Sequence, residues 1–143
     1  MFVVLDTNVI VAALRSRDGA SFQILEAIIH DQVDFALSVP LLLEYEAVLK
    51  RPETLSASGL SIKDMDTILN ILCARGQPKK LHYLWRPQLK DEQDEMVLEL
   101  AVNASADAIV TFNRNDFLPN ANKFDMPIIM PSEYYQWLKE NRK

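Results

Sequence analysis

Short apolar runs alternate with longer amphipathic segments along this chain, and this alternation restricts its fold more than any other feature. Phe2–Leu5 is a four-residue apolar run with two valines, too short for a helix and typical of a buried strand. Residues 21–30 carry apolar side chains at helical spacing. Chains that alternate strands with helices form a mostly parallel sheet with helices on both faces. We therefore expect an α/β fold.

The remaining segments continue the alternation. Further strands are predicted at residues 34–39, 81–84, 108–112 and 127–130, and further helices at residues 9–14, 41–50, 61–74, 92–103 and 132–140. Pro40 fits the first position of its helix, and Ser61 with Asp64 fits a helix-capping pair. Residues 51–60 are rich in Pro, Ser and Gly and are predicted to form a loop. Ligands of such sheets bind beyond the carboxyl ends of the strands, where the strand order reverses.

The composition is that of a soluble globular protein with one domain over residues 1–143. A chain of 143 residues with 49% hydrophobic content can form one core but not two ordinary domains. No apolar run reaches the ~20 residues that cross a bilayer, so we expect no membrane association. The first residues lack the basic segment of a signal peptide. Cys73 lies in an apolar helical segment, so we expect it buried and reduced in a cytoplasmic protein.

The charge and the rare residue types exclude some kinds of site. A formal charge of −5 argues against a protein that coats nucleic acid with a large basic face. It leaves open an enzyme that contacts a few phosphates and carries bound cations. One cysteine and two isolated histidines exclude a cysteine-based zinc site and a histidine-rich metal centre.

Two predicted strands are followed by acids. Asp6 comes directly after Phe2–Leu5, and Asp116 lies in the polar turn after residues 108–112. Each acid has a structural alternative, because Asp favours helix N-caps and turns. Asn113 shares the second turn, so either Asn113 or Asp116 is the candidate ligand from it.

Glu44 and Glu46 lie two residues apart on one predicted helix but face different surroundings. At about 100° per residue, Glu44 lies on the edge of the apolar arc. That arc comprises Leu41, Leu42, Tyr45, Val48 and Leu49. Glu46 lies off the arc and four residues before Lys50, where a surface ion pair is expected. Glu46 therefore has an ordinary explanation, and Glu44 does not.

Asp94 repeats this pattern on the helix Glu92–Asn103. The glutamates of this helix, Glu92, Glu95 and Glu99, share one stripe that we interpret as a solvated face. Asp94 lies on the opposite side, with Val97, Leu98 and Ala101. Asp91 is placed to cap the helix, which would leave Asp94 pointing inward. The helix dipole also favours an acid at this end, which is the structural alternative for Asp94.

Two acids at strand ends and two on inward helix faces form one candidate cluster: Asp6, Glu44, Asp94 and Asp116. Carboxylates buried side by side repel one another, so either one is protonated or a cation lies among them. An all-oxygen site without His or Cys suits Mg²⁺ or Mn²⁺ better than Zn²⁺. Such a cation can activate water and stabilise charge on a phosphodiester.

These segments resemble the PIN-domain family, and within it the toxin components of toxin–antitoxin systems. The resemblance depends on the order, the spacing and the total extent of the matching segments, which together cover nearly the whole chain. Its segments are Leu5-Asp6-Thr7-Asn8, Ser38-Val39-Pro40, Glu44-Tyr45-Glu46, Val48-Leu49-Lys50-Arg51-Pro52, Asp91 and Asp94 with Val97-Leu98 and Ala101, Ala106-Asp107-Ala108 with Val110-Thr111, and Asp116-Phe117. The turn Thr111-Phe112-Asn113 departs from relatives that have Gly and a second Asp there, so the fourth ligand is the one in question.

The resemblance implies a three-layer α/β/α sandwich with a central, mostly parallel sheet of four to five strands. Its metal-binding and catalytic acids are the four of the cluster. Supporting polar residues would be Thr7, Asn8, Asp91, Thr111 and Asn113. It implies Mg²⁺- or Mn²⁺-dependent hydrolysis of RNA by activated water, leaving a 5′-phosphate and a 3′-hydroxyl. It also implies a homodimer and an antitoxin protein that blocks the acidic groove.

The same acids could also indicate other kinds of protein. A PIN-like nuclease could act in RNA processing or on DNA, but a flap-type enzyme needs an added arch for which this chain has no room. A metal-free PIN domain could act as a binding module, although it would be expected to have lost acids that are present here. A haloacid-dehalogenase phosphatase would need Asp-x-Asp where the chain has Asp6-Thr7-Asn8. A receiver domain would need an acid after its third strand and a late lysine.

Basic and aromatic side chains are candidates for contacts with nucleic acid. Arg114 in the last loop and Arg15 after the first motif are the candidates for RNA phosphates. The aromatic residues Trp85, Tyr134, Tyr135 and Trp137 could stack on bases, but packing in the core or a dimer is the preferred interpretation.

Overall fold

The structure is a computed structural model that describes residues 1–80 and 91–141, with only the backbone of Glu92. Five short strands lie in this part of the chain: β1 Phe2–Leu5, β2 Asp34–Leu37, β3 Gln77–Pro78, β4 Ala108–Val110 and β5 Ile128–Ile129. They form one sheet in the order β3-β2-β1-β4-β5, and all neighbouring strands are parallel.

Nine helices flank the sheet within the described residues. They are α1 Thr7–Arg15, α2 Ala20–Ile29, α3 Val39–Leu49, α4 Pro52–Ser58, α5 Ile62–Arg75, α6 Glu92–Asn103, α7 Arg114–Phe117, α8 Asn120–Lys123 and α9 Pro131–Glu140. Helix α6 packs on β1 and β4, while α2 packs against α1 and α9. The α/β/α sandwich with a parallel sheet that the sequence predicts is confirmed. None of the described helices is long and apolar enough to cross a bilayer.

The strand order reverses at β1. The chain first adds β2 and β3 on one side of β1, then returns to add β4 and β5 on the other. Leu5 at the end of β1 pairs with Val110 at the end of β4. The gap beyond these two carboxyl ends is the place where parallel α/β sheets bind ligands.

A continuous core fixes the elements around this gap. The β1 residues Val3, Val4 and Leu5 are fully buried, as is Tyr45 of α3. The Tyr45 hydroxyl donates a hydrogen bond to the Leu5 carbonyl. A buried hydroxyl needs such a partner, so this bond ties α3 to the end of β1. The residue before Tyr45 is thereby held beside that strand end.

Several predicted boundaries are confirmed and others move by a few residues. The strand Phe2–Leu5 and the helix Glu92–Asn103 have the predicted limits, and Ser61 with Asp64 forms the predicted capping box. Strand β2 ends earlier than predicted because the Ser38 side chain accepts a hydrogen bond from Leu41 N–H and caps α3. Pro40 is consequently the second residue of its helix rather than the first. The predicted strand at residues 81–84 lies outside the described residues, as does Trp85.

The loop predicted for residues 51–60 is wrong, because residues 52–58 form helix α4. Pro52 occupies the first helical position, where its missing N–H costs nothing. Gly59 ends the helix with a φ of 72°, in the left-handed region that glycine favours. The Pro and Gly that indicated a loop are thus the start and stop signals of a short helix.

Three smaller expectations also fail. Cys73 is exposed, because α5 turns Met65, Leu69 and Leu72 to the core and Cys73 away from it. Glu99 is buried rather than solvated, since α6 is enclosed by β1, β4 and α3. The polar turn after β4 contains the one-turn helix α7.

Replacing Gly59 tests the end of helix α4. Gly59→Ala should lower the free energy of unfolding by about 1 kcal/mol, because a Cβ is strained at positive φ. Gly59→Asn should cost less, since Asn tolerates this conformation. Urea denaturation measures both, and an Ala variant as stable as the parent would contradict the left-handed cap.

Candidate active site

A cavity of about 350 Å³ opens beyond the carboxyl ends of β1 and β4. Four of its lining residues are acids, contributed by three separate parts of the chain. The lining comprises Asp6, Thr7, Asn8, Val11, Ala12, Arg15, Val48, Arg51, Asp91, Gln93, Asp94, Asn113 and Asp116. The sequence-predicted residues from the first motif, from α6 and from the last loop therefore meet at one place.

Asp6 is held rigidly at the junction of β1 and α1. It is the N-cap residue of α1, as its structural alternative predicted, and it also lines the cavity. One carboxylate oxygen accepts a 2.8 Å hydrogen bond from Thr7 N–H, and the other accepts a 2.7 Å bond from the Thr111 hydroxyl. Burial raises the pKa of Asp6 against the lowering effect of these two bonds, and the charges of Asp116 and Asp91 raise it further.

The Thr111 hydroxyl is the centre of this hydrogen-bond network. It is completely buried and accepts bonds from the Asn8 side-chain amide at 3.3 Å and from Asn113 N–H at 3.0 Å. Because a hydroxyl has one proton and two lone pairs, these bonds leave its proton for Asp6. Thr111 and Asn8 thus support Asp6.

Glu44 of α3 is not among the residues that line this cavity, but the charges of three lining residues act on it. It is half-buried, and its Oε1 atom is buried without a hydrogen-bond partner in the described part of the chain. Burial raises the pKa of Glu44; the nearby Arg51 lowers it, while Asp91 and Asp6 raise it. Glu46 instead accepts the predicted bond from Lys50, at 3.0 Å. The different surroundings predicted for the two glutamates are confirmed.

The start of α6 contributes two further acids. Asp91 caps the helix, with its side chain accepting a 2.8 Å bond from Gln93 N–H. Asp94 is half-buried and lines the cavity. Burial, followed by the charges of Asp6, Asp91 and Asp116, raises the pKa of Asp94 to about 7. A proton or a cation therefore relieves the repulsion at neutral pH.

The last loop contributes both of its candidate ligands to the cavity. Asn113 and Asp116 line the cavity together, and Asp116 N–H donates to the Asn113 carbonyl. Their side chains offer an amide and a carboxylate to the same space. The choice of fourth ligand between them stays open.

The donor set fits a hard divalent cation. Among the described residues no three His, Cys, Asp or Glu side chains already converge as a ready-made metal-binding group. Mg²⁺ and Mn²⁺ nevertheless suit carboxylate oxygens, and Mg²⁺ commonly keeps several of its waters and binds through only one or two carboxylates. Glu44 Oε1 has no hydrogen-bond partner among the described residues and the pKa of Asp94 is raised, and both features are compatible with a cation beside these carboxylates.

The basic residues divide into two groups. Arg114 forms a 2.6 Å ion pair with Glu133 of α9, whereas Arg15 lines the cavity. Arg51 also lines the cavity. Its position at the end of the segment that carries Glu44 is the sequence signal for a cation near the acids, and such a cation can contact phosphate.

The aromatic residues of α9 are packed into the structure. Tyr134 is fully buried, Trp137 stacks on it with ring centroids 6.1 Å apart, and Tyr135 packs against the core. The expectation of packing is confirmed for these three. A second cavity of about 290 Å³ beside them has Asp34 as its single acid, so it does not compete as an acid site.

Most of the chain matches one known protein family. A family model described as PIN domain matches residues 2–115. The chain belongs to the PIN-domain family. Asp6, Glu44 and Asp94 of the PIN domain fall inside the match, and Asp116 lies one residue beyond it. No curated protein and no solved structure matches the chain at a significant level.

Removing the Thr111 hydroxyl tests the network of the PIN domain. Thr111→Val keeps the shape but leaves Asp6 and the Asn8 amide short of a partner, so it should cost about 1–3 kcal/mol in free energy of unfolding. Thr67→Val is the matched control, because exposed Thr67 only donates to the Lys63 carbonyl. Urea denaturation should show little change for the control; equal losses would contradict a special role for Thr111.

The raised pKa of Asp94 predicts a pH effect on the metal-free protein. The folded pKa of about 7 lies above the ordinary value of 3.8. Between these values the folded chain keeps a proton that the unfolded chain has lost, so this contribution to stability falls as pH rises. Thermal unfolding in EDTA should show a weaker decline between about pH 4 and 7 for Asp94→Asn than for the parent. Parallel declines would contradict the assignment.

Proposed function

We propose that this PIN domain is a ribonuclease that hydrolyses RNA phosphodiester bonds with Mg²⁺ or Mn²⁺. The observation that supports the proposal is that Asp6, Asp94 and Asp116 line one cavity at the strand-order reversal of a PIN-domain chain, while the charge of Asp6 acts on Glu44. A PIN domain has a nuclease-type fold. Phosphodiester hydrolysis needs a cation against the negative charge of the substrate, and this cluster supplies oxygen ligands for one.

The acids would hold the cation, and their neighbours would hold the acids. When bound, the cation supplies water activation and charge neutralisation. Thr111 donates to one Asp6 oxygen and Thr7 N–H to the other, which fixes the carboxylate plane before any ligand arrives. Glu44 brings a buried oxygen that no hydrogen bond occupies in the described residues. Asp94 would hold the cation as a carboxylate, so binding would release the proton that its raised pKa retains near neutral pH.

RNA rather than DNA is proposed from the resemblance of residues 44–52 and 91–101 to the toxin subgroup. The direct test uses an RNA and a DNA oligonucleotide of one sequence, with Mn²⁺ or EDTA, and separates the products on a gel. Cleavage of RNA alone, stopped by EDTA, supports the proposal. Cleavage of DNA at an equal rate would favour the alternative of a PIN nuclease acting on DNA.

The other alternative is a PIN domain that binds a partner without catalysis. It predicts no dependence of the protein on a divalent cation. Titration calorimetry with Mn²⁺ separates the two functions: binding with proton release supports the enzyme, because Asp94 must lose its proton. No binding at millimolar Mn²⁺ would favour the non-catalytic domain.

We also propose that the protein is a toxin that acts in the cytoplasm with an antitoxin, and that it forms a homodimer. The toxin role is proposed from the resemblance of the sequence alone. For the homodimer, the support from the structure is an apolar surface on α3, where Val39 and Leu43 are 70% and 58% exposed. Large exposed apolar side chains that adjoin one another favour a protein contact.

Light scattering of the parent and of Leu43→Lys tests the dimer, which the lysine should dissociate. A parent that is already monomeric would contradict it.

Asp6→Asn tests the cluster most directly. The amide keeps the size of the side chain but weakens its hold on a cation, so RNA cleavage should fall by at least about 100-fold. Circular dichroism should show an unchanged fold. Retained cleavage by the folded variant would contradict the assignment of Asp6.

The pair Glu44→Gln and Glu46→Gln tests which glutamate of α3 serves the site. Glu44→Gln should lower both Mn²⁺ affinity and cleavage by at least about 10-fold. Glu46→Gln removes the same charge two residues away, where Glu46 pairs with Lys50, so it should leave both unchanged. The reverse result would mean that Glu46 is the ligand.

A further inference from the structure

Arg51 stands apart from the other cations near the acid cluster. It lies at the junction between α3 and α4 and lines the cavity with an exposed side chain. Within residues 1–80 and 91–141 its guanidinium makes no hydrogen bond or ion pair. Lys50, one position earlier, bonds Glu46 at 3.0 Å and Asp66 at 2.6 Å. Two neighbouring cations thus differ: one joins two helices, and the other faces the cavity.

The side chain of Arg51 has no structural task at the start of α4. Arg51 occupies the N-cap position, but its side chain makes no capping hydrogen bond. Its backbone carbonyl accepts the bonds from Thr54 and Leu55 N–H that begin the helix, and any residue could supply that carbonyl. An arginine whose guanidinium makes no hydrogen bond to any described residue is suited to an anionic ligand, because its planar fork matches phosphate oxygens.

The cavity has an acidic end and a basic end. Asp6 and Arg15 lie at opposite ends of α1, about 13 Å apart at 1.5 Å per residue. Arg15, like Arg51, makes no ion pair in the described structure. Between the two ends the lining is apolar, with Val11 and Ala12 from α1 and Val48 from α3. Along α1 the lining therefore changes from a carboxylate through apolar side chains to a guanidinium, and at the end of α3 Arg51 follows Val48 by three residues.

The order of charged and apolar side chains in the cavity matches the order of phosphate, sugar with base, and phosphate along a nucleotide strand. A phosphate at the acids would be held through the cation, and a second phosphate could reach the arginines. The sugar and base between them would lie over Val11, Ala12 and Val48. A base can lie there only if it is not stacked in a duplex, which favours a single strand or a loop.

We propose that Arg51, together with Arg15, binds a phosphate that flanks the scissile one, so that the groove takes single-stranded RNA with its bases unstacked. The proposal deepens the proposed function and depends on it for the position of the scissile phosphate. Arg51 is a substrate-positioning residue here, because it contacts a phosphate at which no bond breaks.

Salt-dependent binding tests Arg51 without relying on cleavage. Affinity for a short single-stranded RNA is measured by fluorescence anisotropy with Ca²⁺ in place of Mg²⁺, between about 50 and 200 mM salt. Arg51→Ala should weaken binding about tenfold at the low salt and reduce the log–log salt slope by about 0.7, the value for one phosphate contact on a single strand. Arg51→Lys should keep the slope.

Arg75→Ala is the matched control. It removes the same charge from the end of α5, where Arg75 is 3.8 Å from Asp31 and is absent from the cavity lining. Its affinity and salt slope should equal those of the parent. Equal slopes for Arg51→Ala and Arg75→Ala would overturn the proposal, and so would a duplex RNA that binds as tightly as the single strand.

A second measurement separates Arg51 from the acids. If Arg51 acted only through Glu44, whose pKa it lowers, Arg51→Ala would weaken Mn²⁺ binding by the same factor as RNA binding. Unchanged Mn²⁺ affinity with weaker RNA binding supports the phosphate contact. Loss of RNA affinity in a protein that cleaves nothing would refute the ribonuclease but keep the Arg51 site. If Arg51→Ala cleaved RNA and bound it as tightly as the parent does, the ribonuclease would be supported and the Arg51 site would be refuted.

Discussion

The parallel pairing of β1 with β4 is the constraint on which the site depends. It brings the ends of two strands together across about a hundred residues of chain, with Leu5 opposite Val110. The residues that follow, Asp6 and Thr111, then meet within hydrogen-bond distance. Because β2 lies on the other side of β1, the connections diverge from this point and leave a gap. Both the position of the cavity and the orientation of its first acid follow from this one pairing.

The same pairing creates an electrostatic problem. Asp6 is buried at the strand end, and Glu44 and Asp94 approach it from α3 and α6. Burial and mutual repulsion raise the pKa of each, since neither favours the charged form. A fold that gathers acids in this way without a compensating ion would lose stability as they ionise. A divalent cation held among these carboxylates would remove that cost, because an opposite charge favours their charged form.

The prediction of individual acids succeeded where helical geometry alone decides and failed where packing decides. Helical spacing separated Glu44 from Glu46, because one lies beside the apolar arc and the other within reach of Lys50. The same reasoning failed for Glu99 and Cys73: α6 is enclosed on the side where Glu99 lies, and α5 leaves Cys73 exposed. Periodicity gives the direction of a side chain from its helix but not the number of neighbours that the helix has.

The sequence by itself determined the α/β class and most of the alternation of strands and helices, since these follow from local spacing and capping. It indicated which acids lie at strand ends and on the inner faces of helices, but it missed helix α4. It also carried the family resemblance. Only the tertiary structure decided which cations face the acids. Arg114 was the favoured RNA contact but pairs with Glu133 of α9, while Arg51 lines the cavity. Long side chains take the partners that distant elements bring to them, and no local pattern contains that information.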